Sequence, residues 1–136
     1  MKIELITFEE LKNYVEKEKI ERSLNHFHGS DICFLNIDIK EAFKNMLIYG
    51  VFLNKTISGF CVTPKNFTGN LSKIYISIKC RNKGLATYSI NKLKIKNLHC
   101  LKDNEDAFSL YTKLGFKVGN CGLMYLYSVY MERELN

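Results

Sequence analysis

Apolar positions along this chain recur with two periods, and the places where one gives way to the other mark its elements. Leu5-Ile6 closes a first strand. Thr7-Phe8-Glu9-Glu10 has the form of a capping box, in which the Thr hydroxyl and the Glu three residues on satisfy each other's backbone donors, and a helix over 8–19 follows. Asp38-Ile39-Lys40-Glu41 repeats that signal and predicts a shorter helix over 42–47, whereas 20–37 shows no clear period. Residues 48–53 and 57–62 are β-rich runs joined by Asn54-Lys55-Thr56, the form of a hairpin. After a turn at Thr68-Gly69-Asn70, Ile74, Ile76 and Ile78 alternate with Tyr75, Ser77 and Lys79, which predicts a strand over 71–79. Residues 84–96 then read as a helix with Ala86, Ile90 and Leu93 facing inward, and 98–101 as a short strand. Strand, helix and strand in so short a span predict a βαβ unit with parallel strands and a right-handed crossover.

The clearest helix spans 104–114. Glu105 and Asp106 sit in its positive first turn, Ala107, Leu110, Tyr111 and Leu114 share one face, and Gly115 can take the left-handed stop. A Tyr-rich strand over 123–132 ends the series. The expected fold is an α/β sandwich on a mixed, mostly antiparallel sheet, with hairpins at one end and a parallel βαβ unit in the centre.

A length of 136 residues is one domain's worth, and a composition of 46% apolar and 25% charged residues is that of an ordinary globular chain with a core of its own. Acids near Met1 interrupt any signal-peptide run, and no stretch approaches the roughly 20 apolar residues of a spanning helix, so a cytoplasmic protein without membrane contact is expected. Five cysteines with no close pair suggest reduced thiols rather than a disulfide framework or a zinc site. The glycosylation-type triplets at Asn54, Asn66 and Asn70 would matter only in a secreted chain.

The net charge of +6 is unevenly placed. No acidic residue lies between Glu41 and Asp103, while eleven Lys and Arg residues do, so the middle of the chain should attract a polyanion such as coenzyme A or RNA. A solvated lysine surface is the plainer alternative.

Within that span, Lys79-Cys80-Arg81-Asn82-Lys83-Gly84-Leu85-Ala86 joins a strand to a helix. Small residues at 84 and 86 let successive backbone N–H groups approach an anion at the helix N-terminus. The order Arg81-x-x-Gly84-x-Ala86 resembles the acetyl-CoA motif of the GNAT superfamily of N-acetyltransferases. Downstream, Asn104-x-x-Ala107-x-x-Leu110-Tyr111-x-Lys113-Leu114-Gly115-Phe116 is similar to that family's second signature, at the right distance from the first. The resemblance covers 48–133; the first 47 residues match only as helices after a strand.

The resemblance implies a GNAT-like fold and a reaction in which a neutral amine directly attacks the thioester of acetyl-CoA in a ternary complex, with no metal. Backbone amides of Arg81, Asn82, Lys83, Gly84, Leu85, Ala86 and Thr87 would hold the pyrophosphate. Backbone groups of Ile76 and Ile78 would pair with the pantetheine arm as with an added strand. Asn104 would contact the cofactor or cap its helix, roles that are compatible. Tyr111 matches the residue that protonates the departing thiolate, unless it is a core tyrosine.

Many family members place a catalytic Glu on the strand matching 71–79, which the acid-free span excludes here. His99, twelve residues before Tyr111, stands where the ribosomal-protein N-terminal acetyltransferases carry a Glu base, and an imidazole of ordinary pKa about 6.5 can serve that role; a polar strand-end residue is the alternative. His26 and His28 lack a carboxylate or Cys framework for a metal and are expected near the substrate entrance. The acceptor suggested is an amine of a protein or peptide, an N-terminal α-amine above all. An aminoacyl-tRNA acceptor and a non-catalytic module binding coenzyme A or a partner are alternatives. Polyamines are disfavoured by the basic middle. Monomer and homodimer both stay open.

Overall fold

The computed structural model describes residues 1–18, 26–27, 30–31, 41, 43–119 and 128–135. The chain opens with β1 (Lys2–Leu5) and α1 (Phe8–Glu18), followed by the two short strands β2 (His26–Phe27) and β3 (Ser30–Asp31), which pair with each other. Then come β4 (Met46–Leu53), β5 (Thr56–Pro64), β6 (Asn70–Leu71) and β7 (Lys73–Ile76). A 3-10 turn (Ile78–Cys80), α2 (Leu85–Lys92), β8 (Asn97–Leu101), α3 (Glu105–Lys113), β9 (Lys117–Val118) and β10 (Ser128–Glu132) complete it. Among the described residues, no helix is long and apolar enough to cross a membrane.

The capping box forms as expected: the Thr7 N–H donates to Glu10 Oε1 and the Glu10 N–H to Thr7 Oγ1, each at 3.1 Å. The helix 42–47 does not form as expected; residues 43–45 make a turn and Met46 already belongs to β4, the rest of that segment lying outside the described residues apart from Glu41. The β4–β5 hairpin closes through Asn54 and Lys55, both at positive φ (52° and 67°), the conformation of a two-residue turn matched to strand twist.

Two sheets share one bent strand. The first has the order β1-β4-β5-β7, antiparallel throughout, and the second β6-β8-β10-β9. Only Ser72 separates β6 from β7, so a single stretch of chain serves both. The expected parallel pairing exists, but over two registers alone, Asn70 with Asn97 and Leu71 with Leu98. The Ser72 N–H donates to the Val62 carbonyl at 2.8 Å although Val62 is already in register with Lys73. Two residues thus oppose one, which is a β-bulge, and the added bend directs the strand out of the second sheet.

Alternation sorts the side chains to two sides. On one, Leu11, Tyr14 and Val15 of α1 pack on Ile48, Phe60 and Val62, with Tyr75 beside them. On the other, Leu85 and Ile90 of α2 and Tyr111 of α3 pack on Val51, Cys61, Ile76, Leu98, Cys100 and Met131, residues drawn from both sheets. Each fully buried Leu or Phe here stabilises the fold by about 1.5–3 kcal/mol.

Arg133, just past β10, locks the second layer. Its Nε donates to the Ile95 carbonyl at 2.8 Å, and Nη1 to the Leu114 carbonyl at 3.0 Å and Asn91 Oδ1 at 3.1 Å. Nη2 reaches the Ile90 carbonyl at 3.4 Å, and the guanidinium lies 4.6 Å from the centre of the Phe116 ring. One cation therefore serves the negative ends of α2 and α3 together.

Candidate active site

Past Leu71 and Leu98 the strands β7 and β8 no longer pair, and a V-shaped cleft opens between them. The β7 edge of that cleft follows from the antiparallel alternation. The Ser77 N–H bonds Ser58 at 2.8 Å, so Ser77 and Tyr75 direct their backbone groups toward β5, and Ile74 and Ile76 direct theirs into the cleft. Here the sequence expectation needs correction. The strand ends at Ile76, and Ile78 opens the 3-10 turn with its carbonyl accepting from the Arg81 N–H at 3.3 Å. Ile78 is thus not placed to act as a strand neighbour; Ile74 takes that position beside Ile76.

At the open end of the cleft, Asn82 (φ 63°) and Gly84 (φ 81°) alternate left-handed with their neighbours, and Gly84 caps α2 without any side-chain hydrogen bond. Such alternation turns successive N–H groups outward as an anion-binding nest, continued by the first turn of the helix. A Cβ built on Gly84 would meet nothing nearer than the Met1 methyl at 3.9 Å, so packing does not demand glycine there. Its backbone conformation does, and the open space beside it is what a close-approaching pyrophosphate requires. Asn82 and Lys83 are exposed, Ala86 and Thr87 are half-buried, and Leu85 anchors the turn in the core. Arg81 is turned away from the nest: its Nε donates to the Ile76 carbonyl at 2.9 Å and its guanidinium covers Tyr75 at 5.4 Å, bracing the turn against the strand.

On the β8 side, His99 belongs to the strand, Asn104 precedes α3 and Tyr111 lies within α3. Asn104 is the N-cap of α3, with Oδ1 accepting from the Ala107 N–H at 3.2 Å. His99 follows directly on the last parallel pair, at the apex of the cleft. It is half-buried, in register with Tyr130 across β10, and its ring centre lies 5.5 Å from that of Tyr130. Because Leu98, Cys100 and Met131 face α2 and α3, His99 and Tyr130 face the other way, toward the side on which α1 lies.

Tyr111 is only 7% exposed and packs edge-on to Phe116 at 5.9 Å. Burial pushes its pKa well above the ordinary tyrosine value, and the nearby thiols of Cys100 and Cys61 push it in the same direction. Its hydroxyl stays protonated through the neutral range, and among the described residues it makes no hydrogen bond. The hydroxyl oxygen itself is not sealed from solvent, so it is open to a ligand.

Elimination along the sequence missed one carboxylate. Tyr14 OH meets Ser77 Oγ at 2.5 Å and Ser77 Oγ donates to Glu18 Oε1 at 3.0 Å, which brings an acid from α1 to the end of β7. Ser77 lies three residues beyond Ile74, about 10 Å along an extended strand, so this carboxylate is farther from the apex than His99. Neither the side chain of His26 nor any part of His28 is among the described residues.

No protein-family model matches this sequence, and no curated protein matches it. Solved structures do. A PaiA N-acetyltransferase of Thermoplasma acidophilum in complex with coenzyme A superposes with a TM-score of 0.61 at 20% identity, over 99% of this chain and all of that one. The ribosomal-protein-alanine N-acetyltransferase of Escherichia coli gives 0.60 at 16% identity, over 97% and 92%. A variant of the spermidine N-acetyltransferase of Vibrio cholerae gives 0.66 at 15% identity, over 98% and 94%. The chain has the GNAT N-acetyltransferase fold.

Proposed function

We propose that this chain is an acetyl-CoA-dependent N-acetyltransferase acting on an amine of a protein or peptide, an N-terminal α-amine above all, by direct attack in a ternary complex. The observation that carries the reading is the splayed cleft, with the Gly84 nest at its mouth. When bound, acetyl-CoA supplies an acetyl group activated as a thioester. The N–H groups from Asn82 to Thr87 hold its pyrophosphate, the Arg81 N–H being engaged by the Ile78 carbonyl, and Ile74 and Ile76 orient its arm through their backbone groups. The Ile74 N–H, deeper in the cleft, faces the charge that develops on the carbonyl oxygen. His99 receives the amine's proton, directly or through a water, and Tyr111 returns one to the sulfur.

The solved relatives act on different amines, so the acceptor rests on this chain's own residues: His99 in the place of a peptide-type base, and a basic middle that opposes a polycation. The same acid-free basic span favours a second reading, an aminoacyl-tRNA acceptor. Calorimetry with acetyl-CoA is the first test: wild type should bind, and Gly84→Val should weaken binding at least tenfold by blocking the nest. Unchanged affinity in the variant would remove the turn from the site. Release of free thiol with peptides and with aminoacyl-tRNA then separates the two acceptor classes.

A further inference from the structure

The bulge that bends the shared strand leaves Lys73 in an unusual place. Lys73 is in register with Val62, so its side chain emerges on the side of the sheet that α1 covers, at the first residue of the cleft. It is half-buried, and among the described residues it forms no ion pair. The strands around it come from the span that contains no acid at all, from residue 42 to residue 102. Burial lowers its pKa below the ordinary lysine value, and among the described residues no charge offsets that. An ammonium kept partly out of water without a partner is costly and is seldom retained without a use.

Aromatic side chains lie along the same face. Two residues along, Tyr75 stacks on Phe60 with ring centres 6.0 Å apart and meets Tyr14 at 6.4 Å. His99 stands at the same apex, directed to the same side.

We propose that Lys73 is the cation that binds the acceptor, pairing with a carboxylate carried close to the reacting amine. The favoured acceptors are then free α-amino acids or peptides whose first residue is acidic. The proposal rests on the acetyltransferase reading and goes beyond it in naming the chemistry beside the amine. A charged pair formed at a half-buried site contributes more than the same pair in water, because the effective dielectric there is lower. A polycation would instead set like charges together.

The experiment uses four acceptors with acetyl-CoA: L-alanine against L-alaninamide, and two peptides identical except for Asp or Asn at the first position. Each pair differs by one carboxylate, and the two pairs distinguish a free amino acid from an acidic N-terminus. Wild type should prefer the carboxylate in at least one pair by tenfold or more in kcat/KM. In Lys73→Met the ratio should collapse toward one, and in Lys73→Arg it should return; the melting temperature of each variant shows that it folds. A wild type without preference, or a preference that survives Lys73→Met, overturns this proposal while leaving the acetyltransferase reading intact. No turnover of any acceptor by wild type overturns both.

Discussion

Replacing Arg133 tests how the layer behind the cleft is held. In Arg133→Ala, the Ile95 and Leu114 carbonyls lose charged donors at 2.8 and 3.0 Å, and the weaker contacts to Asn91, Ile90 and the Phe116 ring go with them. Hydrogen bonds to charged groups contribute about 1.5–3 kcal/mol each, and a cation over an aromatic ring about 0.5–1. Arg133 is only half-buried, so water can reach part of what is vacated, and a net loss of about 3 kcal/mol is a fair expectation. An unfolding entropy of about 2.1 cal/mol/K per residue, over 136 residues, gives about 0.29 kcal/mol per degree, hence a fall in Tm of about 10 °C. Differential scanning calorimetry reads this directly. Arg133→Lys, which keeps the charge but not the planar fork, should recover less than half of the loss. A fall of under 3 °C in the alanine variant would mean that the two helix ends are held by their own packing, and the clamp would be incidental.

Tyr111→Phe removes a hydroxyl that has no partner among the described residues, so Tm should stay level or rise slightly, while turnover should fall by about 100-fold to 10,000-fold. Turnover that stays level would make Tyr111 a core residue only. For His99→Gln, any rise of rate with pH that depends on this imidazole should vanish and the rate above neutrality should fall at least tenfold; a variant keeping both would leave proton removal to the solvent or to Glu18. Burial pushes the Cys61 thiol up from 9.0 to about 12, against a hydrogen bond with Ser89 that lowers it. The folded state therefore holds this proton longer than the unfolded state, so the contribution is full below about pH 9 and is lost as pH rises toward 12. By pH 10 that loss is about 1.4 kcal/mol. Cys61→Ala should flatten this part of a denaturation series against pH; an unaltered alkaline slope would assign it to other groups.

Local signals read well where local physics decides. The Thr7–Glu10 box, the Asn104 cap with Gly115 at φ 97°, and the Asn54-Lys55 turn all stand where the sequence predicts them. The strand over 71–79 reads as continuous because Ile74, Ile76 and Ile78 alternate without a break. What divides it is tertiary: the bulge opposite Val62 and the 3-10 turn after Ser77, neither of which alters the hydrophobic pattern. Of the candidate site, the Gly84 turn and Asn104 were legible because backbone conformation dictates their residue types. Tyr111 and His99 became candidates only through the resemblance to the family's signatures. The Tyr14–Ser77–Glu18 chain was not, since Ser77 lies 63 and 59 positions from Tyr14 and Glu18 and each residue type is ordinary at its own position.

The strand that bends at Ser72 also bears on how the chain folds as it is made. Every strand of the first sheet has been synthesised once Ile76 emerges, whereas β8 begins at Asn97 and β10 at Ser128. For that interval β7 is an open edge, and among the described residues it stays the outer strand of its sheet in the finished fold. Exposed strand edges invite pairing with other chains, and natural proteins blunt them with bulges, short length and lysine. This edge has all three: a bulge at Ser72, four residues from Lys73 to Ile76, and Lys73 itself. The features that open the cleft to a substrate are therefore the same ones that keep a half-made chain from adding a stranger's strand to its sheet.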